Sequence, residues 1–268
     1  MNDLSLTHTD RIVARKDGAV GWIVFNNPAR RNAVSMEMWA AIPRIVAAYE
    51  ADSDIRVIVL TGAGEKAFVS GADISEFAER RSSASNMKEY DAVSVEANRS
   101  LINCSKPTIA KIRGWCIGGG VGVALTCDFR IAAESAVFGV PAARLGLGYD
   151  IAGVRRLVDV VGPSYAKEIF FTARHYSAAE ALMMGLINRV VAEDQFDVEF
   201  SRYTEMISEN APLTITAVKR TVKEILADET VRDETLVKEM IEACFESDDY
   251  REGRTAFMEK RRPVFRGR

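Results

Sequence analysis

Along the chain, short β-branched runs alternate with longer stretches in which apolar residues recur every three or four positions. Residues 11–15 and 19–26 read as two strands joined by a turn at Lys16-Asp17-Gly18. Asn27-Pro28 ends the second strand, and Ser35, followed by Glu37 and Met38, caps a predicted helix that runs to about Glu50. The run Ile-Arg-Val-Ile-Val-Leu at 55–60 is that of a buried strand, and Phe68-Val69 is a second, short one. A helix is predicted over 74–81, a polar interruption over 82–85 and an amphipathic helix over 87–104. A strand at 107–112 leads into a glycine-rich stretch, and 129–132 and 136–139 read as short strands around Glu134-Ser135. From Ile151 helices dominate, with caps expected at Asp150, at Gly162-Pro163-Ser164 and at Ser177, and one more short strand at 188–192. The pattern is strand-strand-helix about four times, then a helical tail, which argues for α/β layers. Its period is too irregular for a solenoid with a sequence signature.

The stretch that organises the chain is 114–128, where Gly118-Gly119-Gly120 separates a strand-like run from the apolar run 121–126, which reads as a buried helix. Glycine costs backbone entropy, so three in a row indicate close backbone approach or special dihedral angles. A helix starting near Gly119 would present amides without intrahelical partners, and such amides hold an anion or a developing oxyanion. A tight turn packed under a helix is the alternative, and the stretch alone does not choose.

Composition narrows the chemistry. Of 268 residues, 35 are Lys or Arg and 38 are Asp or Glu, a formal net charge of −3 that gives no support to a nucleic-acid partner. No apolar run approaches the roughly 18 residues of a membrane span, and the polar first ten residues lack a secretory pattern, so a cytoplasmic protein is expected. Cys104, Cys116, Cys127 and Cys244 are scattered without a CxxC pair, and the two histidines, His8 and His175, stand near no cysteine. No metal site and no Ser-His triad is expected, which leaves backbone donors, carboxylates and tyrosine. Gly62-Ala63-Gly64-Glu65-Lys66-Ala67 matches a dinucleotide fingerprint, but the helix that it requires does not follow.

Several motifs together resemble the crotonase (enoyl-CoA hydratase/isomerase) superfamily over essentially the whole chain. They are Asn26-Asn27-Pro28 with Arg31-Asn32-Ala33-Val34-Ser35, then Ala67-Phe68-Val69-Ser70-Gly71-Ala72-Asp73-Ile74, Gly118-Gly119-Gly120, Cys127-Asp128-Phe129-Arg130-Ile131-Ala132, and the stretch from Pro141 to Leu157. Ser177-Ala178-Ala179-Glu180-Ala181, Gly185-Leu186-Ile187-Asn188 and Phe257-Met258-Glu259-Lys260-Arg261 complete the set. The resemblance implies an α/β crotonase/ClpP-like spiral of ββα units over 1–193 that binds acyl-CoA. It also implies a helical C-terminal region, 194–268, that drives assembly into a homotrimer or a hexamer. It places the oxyanion-hole amides on Ala72 and Gly119. It further puts coenzyme A, which enters as part of the substrate rather than as a separate cofactor, against Arg31, Ala33, Gly71, Asp73 and Ile74. Phe257 and Lys260 would reach the nucleotide from a neighbouring subunit, although Lys260 can equally be a solvated helix end.

The same resemblance shows a departure. The two glutamates of a family hydratase fall on Gly122 and Ala142 here. What remains is Tyr149-Asp150, and the C-terminal half is most similar to methylmalonyl-CoA decarboxylase-like members. This implies a lyase or isomerase acting through a thioester enolate. Asp150 stands where that decarboxylase has an amide, so it would repel a substrate carboxylate unless burial keeps it protonated. Alternatively, Asp150 alone serves a hydratase or isomerase, or the chain is a catalytically silent acyl-CoA-binding scaffold. As purely structural roles, Asp150 can cap the following helix and Tyr149 can form a pocket wall.

Overall fold

The structure is a computed structural model and describes residues 4–73 and 84–268. The helix predicted over 74–81 and the candidate Ile74 lie outside the described residues. Among the described residues ten strands form two sheets: β1 (Ile12–Asp17), β2 (Val20–Phe25), β3 (Val57–Gly62), β4 (Ala67–Val69), β5 (Thr108–Ile112), β6 (Trp115–Ile117), β7 (Phe129–Ala133), β8 (Val137–Gly139), β9 (Tyr176–Ser177) and β10 (Arg189–Val191). The larger sheet has the order β1-β2-β3-β5-β7-β10 and the smaller β4-β6-β8-β9. The β1–β2 hairpin and the β8–β9 pair are antiparallel, and every other pairing is parallel. Three consecutive units therefore send their first strand (β3, β5, β7) to one sheet and their second (β4, β6, β8) to the other. This is the spiral of ββα units expected from the motifs.

Parallel strands covered on both faces read as continuous apolar runs, and β3 shows why. Ile58 and Leu60 belong to the main core with Met38, Ile42 and Ile45 of the Met36–Ala51 helix. Val57 and Val59 face the other way, onto Phe196 and Phe200 of the Phe196–Ser208 helix. That helix begins the run Phe196–Ser208, Pro212–Leu226, Glu234–Glu246 and Asp248–Glu259, which completes the chain.

Three differences from the sequence reading bear on the site. Trp115–Ile117 is a strand, β6, rather than part of a turn, because it pairs with both β4 and β8. The helix after the glycines spans only Gly119–Ala124 and stops before Thr126. The expected break at 162–164 is a sharp bend inside a helical stretch, Ile151–Thr172, where Gly162 has φ 76 and ψ 165 and Pro163 follows. The bend returns the chain: Phe170 lies 5.0 Å from Tyr149, ring centre to ring centre. A straight helix would separate residues that far apart in sequence by about 32 Å at ~1.5 Å per residue.

Candidate active site

The first half of the site is built by two loops that run side by side. Pro28–Arg30 forms a short 3-10 turn, after which Arg31 and Asn32 both take positive φ (51 and 56). Asparagine tolerates that conformation better than most residues, and here its buried side chain also ties the loops together. Its Oδ1 accepts from Asn27 N at 3.0 Å, and its Nδ2 donates to Ala63 O at 3.0 Å and Ala67 O at 2.7 Å. Ser70 N donates to Arg31 O at 3.1 Å, Val34 N to Gly71 O at 2.9 Å, and Asp73 N to Val34 O at 3.0 Å. Val34 and Ala72 thus form a parallel bridge in which Val34 uses both its polar groups on residues 71 and 73. In extended backbone successive amides alternate in direction, so the Ala72 N–H points away from Val34. The buried Asp73 carboxylate closes the loop through Arg30 Nη1 at 2.6 Å.

The second half arrives on β6, which runs parallel to β4, so residues 70–72 and 118–119 leave neighbouring strands at the same edge. Gly118 (φ 56) donates its N–H to Gly139 O at 2.8 Å, and its carbonyl accepts from Val121 N and Gly122 N. Gly119 opens the short helix, so its amide has no intrahelical acceptor. A Cβ placed on Gly119 would lie 3.6 Å from Ala72 N, whereas one on Gly120 would lie 2.0 Å from Val69 O. Gly120 is therefore a packing requirement, and Gly119 keeps clear the space beside the Ala72 amide. Among the described residues neither amide has an acceptor. Two adjacent free N–H groups can hold an oxygen on which negative charge develops, and removing one such donor typically costs about 3–4 kcal/mol of transition-state stabilisation.

The sequence profile of enoyl-CoA hydratase/isomerase matches residues 15–268. The chain belongs to the enoyl-CoA hydratase/isomerase family. A short-chain-enoyl-CoA hydratase of Clostridium acetobutylicum is 32% identical over 94% of this chain and 96% of its own. A carnitinyl-CoA dehydratase of Escherichia coli is 32% identical over 94% of this chain and 97% of its own. The crystal structure of an enoyl-CoA hydratase/carnithine racemase from Magnetospirillum magneticum superposes with a TM-score of 0.93, at 35% identity and 99% coverage of both chains. The spiral described above is thus the crotonase fold of this family.

At the positions where the resemblance places the hydratase glutamates, this chain has Gly122 and Ala142. Gly122 has no described atom within 4 Å of a Cβ placed on it, and Ala142 is a buried methyl, so neither hydratase-glutamate position carries a polar side chain. Tyr149 packs edge-on against Phe170, and partial burial holds its phenol above the usual value, so it stays a proton donor at neutral pH. Asp150 caps the helix beginning at Ile151, with Oδ1 accepting from Gly153 N at 2.7 Å. It is exposed, so the burial that a decarboxylase reading asked of it is not found. Six residues on, Arg156 is half-buried: desolvation lowers its pKa, Asp150 opposes that shift, and its enclosed Nε has no partner among the described residues.

The remaining candidates divide. Arg31 stacks over Trp115 at 5.5 Å and stays exposed, Ala33 is buried with its N–H on Arg30 O, and Gly71 (φ 113) lends its carbonyl to Val34. Asp73 is engaged with Arg30. Phe257 is 82% exposed at the end of the Asp248–Glu259 helix, and Lys260 terminates that helix in the left-handed conformation. Asn32, which ties the two loops together, and Arg156, half-buried near Asp150, were not among the sequence candidates. Asn32 lies in a quoted motif, but its role depends on carbonyls at 63 and 67, and no local pattern marks Arg156. Among the described residues no group of three or more His, Cys, Asp or Glu could hold a metal, and no helix is long and apolar enough to cross a membrane.

Proposed function

We propose that the protein is a decarboxylase-like lyase acting on acyl-CoA thioesters through an enolate held by the Ala72 and Gly119 amides. The observation that carries this reading is the pairing of two free amides with the loss of both hydratase carboxylates. Cleavage of the bond between the α-carbon and its carboxylate releases CO2 and leaves the electron pair as the enolate. No base is needed for that step, and the donors stabilise the charge as it forms. A proton then returns to the α-carbon, and Tyr149, protonated at neutral pH, is the group assigned to supply or relay it.

A second reading is supported by the exposure of Asp150 and by the relatives' names. In it Asp150 moves a proton at the α-carbon, giving isomerisation or a one-acid hydration. The two readings predict opposite effects of Asp150→Asn, which keeps the cap and removes the charge. Methylmalonyl-CoA turnover rises if the carboxylate repels the substrate's own, and crotonyl-CoA or 3-enoyl-CoA turnover falls if Asp150 is the acid–base group. Tight binding of these esters without turnover of any would overturn both in favour of a silent acyl-CoA-binding member.

Assembly as a homotrimer or a hexamer is part of the proposal. An apolar groove of about 750 Å³ lies away from the two amides, along the C-terminal helices, lined by Leu213, Val218, Val222, Ile241, Phe245 and Tyr250 among others. Light scattering tests this directly, and a monomer at micromolar concentration would count against it. In such an assembly Phe257 and Lys260 would serve a neighbouring subunit's nucleotide.

A further inference from the structure

Within the 118–122 glycine stretch, Gly122 is the one that the described residues give no steric or conformational reason for. It sits inside the Gly119–Ala124 helix with no positive φ, and no described atom lies within 4 Å of a Cβ placed on it. The contrast with its neighbours is sharp: Gly118 needs its left-handed φ of 56, and Gly120 needs its bare Cα because Val69 O would be 2.0 Å from a Cβ. Neither turn geometry nor packing calls for glycine at 122, where alanine would be the better helix former.

Position 122 also has a defined direction. Residues three apart share a helix face, with Cβ positions about 5–6 Å apart. The corresponding direction from Gly119 leads to the Gly71-Ala72 backbone, 3.5–3.6 Å away. A side chain at 122 would therefore rise beside the pair of amides that hold the thioester oxygen. The substrate's α-carbon is bonded directly to that carbonyl, so substituents on it fall within reach of position 122. Ala142, the other position without a polar group, is a small buried methyl.

We propose that Gly122 is a specificity-determining residue, and that the space above it, which no described residue fills, admits acyl groups carrying bulk on the α-carbon, such as 2-methyl-branched thioesters. The inference rests on the acyl-CoA reading above and narrows its substrate class.

Binding of non-reacting saturated esters tests it, using 2-methylbutyryl-CoA against butyryl-CoA by calorimetry on the unmodified protein, Gly122→Ala and Gly122→Leu. The unmodified protein is expected to bind the branched ester at least as tightly as the straight one. Gly122→Leu should weaken the branched ester ten-fold or more and the straight one no more than about three-fold, with Gly122→Ala in between. The melting temperature of Gly122→Ala should equal or exceed that of the parent. Equal weakening of both esters by Gly122→Leu would overturn the inference while leaving the acyl-CoA reading intact, and so would a lower melting temperature for Gly122→Ala. Failure of the unmodified protein to bind either ester would overturn both.

Discussion

The two halves of the proposed site are held in opposite ways. On the donor side, residues 30–34, 70–73 and 118–122 are fixed by backbone hydrogen bonds between strand ends, with Asn32 wholly buried beneath them. On the proton side, residues 143–152 are exposed, Leu145 at 63% and Ile151 at 85%, and among the described residues are held by local bonds (Arg144 N–Pro141 O, Gly146 N–Ala142 O, Leu147 N–Ala142 O and the Asp150 cap) and by the Tyr149–Phe170 contact. The donor side is made of main chain, so side-chain substitution leaves its chemistry in place unless the new atoms physically block it. The proton side is made of side chains on an exposed segment, so it can change its reaction without disturbing the fold. A chain with Gly122 and Ala142 at the hydratase-glutamate positions and two adjacent amides without described acceptors fits that division.

The sharpest way to break the comparison is to obstruct the donor side without unfolding it. Gly119 has no positive φ, and an added Cβ would meet only ordinary contacts at 3.5–3.7 Å, one of them Ala72 N. Gly119→Ala should therefore fold normally, with helix propensity favouring alanine. The methyl would nevertheless stand beside the Ala72 amide, and turnover should fall by about 10²–10³, the loss of one donor. Circular dichroism melts alongside steady-state kinetics check both halves, and full turnover in a stable variant would remove the amides from the mechanism.

Next in size is Asn32→Ala. It deletes three hydrogen bonds made by a side chain that is 0% exposed and leaves one buried (Ala67 O) and two part-buried (Asn27 N, Ala63 O) main-chain groups without that partner. At about 1–3 kcal/mol per unsatisfied group, stability should drop by about 3 kcal/mol or more. That corresponds to a fall of roughly 10 °C in melting temperature for a chain of this size. Substitutions on the proton side should cost far less. Asp150→Ala loses a helix cap, typically about 1 kcal/mol, and Asp150→Asn, which still caps, should change urea stability by only a few tenths. Equal destabilisation by Asn32→Ala and Asp150→Ala would erase the distinction between the two halves.

These residues also mark how far the sequence could be read. The glycine run is legible as a local pattern, whereas Ala72, Tyr149 and Asp150 enter the proposed site only through the resemblance to the family. β6 was missed because Trp115-Cys116-Ile117, hemmed in by glycines, is too short for a period to show, and only its two sheet partners make it a strand. Asn32 bonds to carbonyls more than thirty residues away. Tyr149 meets Phe170 only because the chain bends at Gly162, and although the break was legible from Gly162-Pro163, the direction of the return was not. What the sequence withheld are contacts decided by the packing of distant segments.

The smallest expected effect concerns acid. Glu180 accepts from Ser177 N, from an Arg174 guanidinium N–H and from the Ser177 hydroxyl, which hold its carboxyl down at about 2. Its folded pKa lies below the unfolded value of about 4.3, so the ionised form stabilises the fold. That contribution is complete above pH ~4.3 and is lost as pH falls towards 2. Ser177 ends β9, which pairs with β8, and β8 ends at the Gly139 carbonyl that holds Gly118 N, so the loss falls on the scaffold of the donor side. Glu252 is likewise held at about 2, by Arg261 and then by Val264 N, but it anchors the C-terminal tail instead. Thermal unfolding at pH 5, 4 and 3 should show a Glu180→Gln variant with a flatter decline than its parent. Because the Glu180 side chain is more than a third exposed, the arginine share of the effect should shrink in 0.5 M NaCl while the amide share persists. A parent profile that stays level from pH 5 to 3, or a variant that tracks it, would show that the cap contributes no measurable stability and that the donor side is held by its main-chain bonds alone.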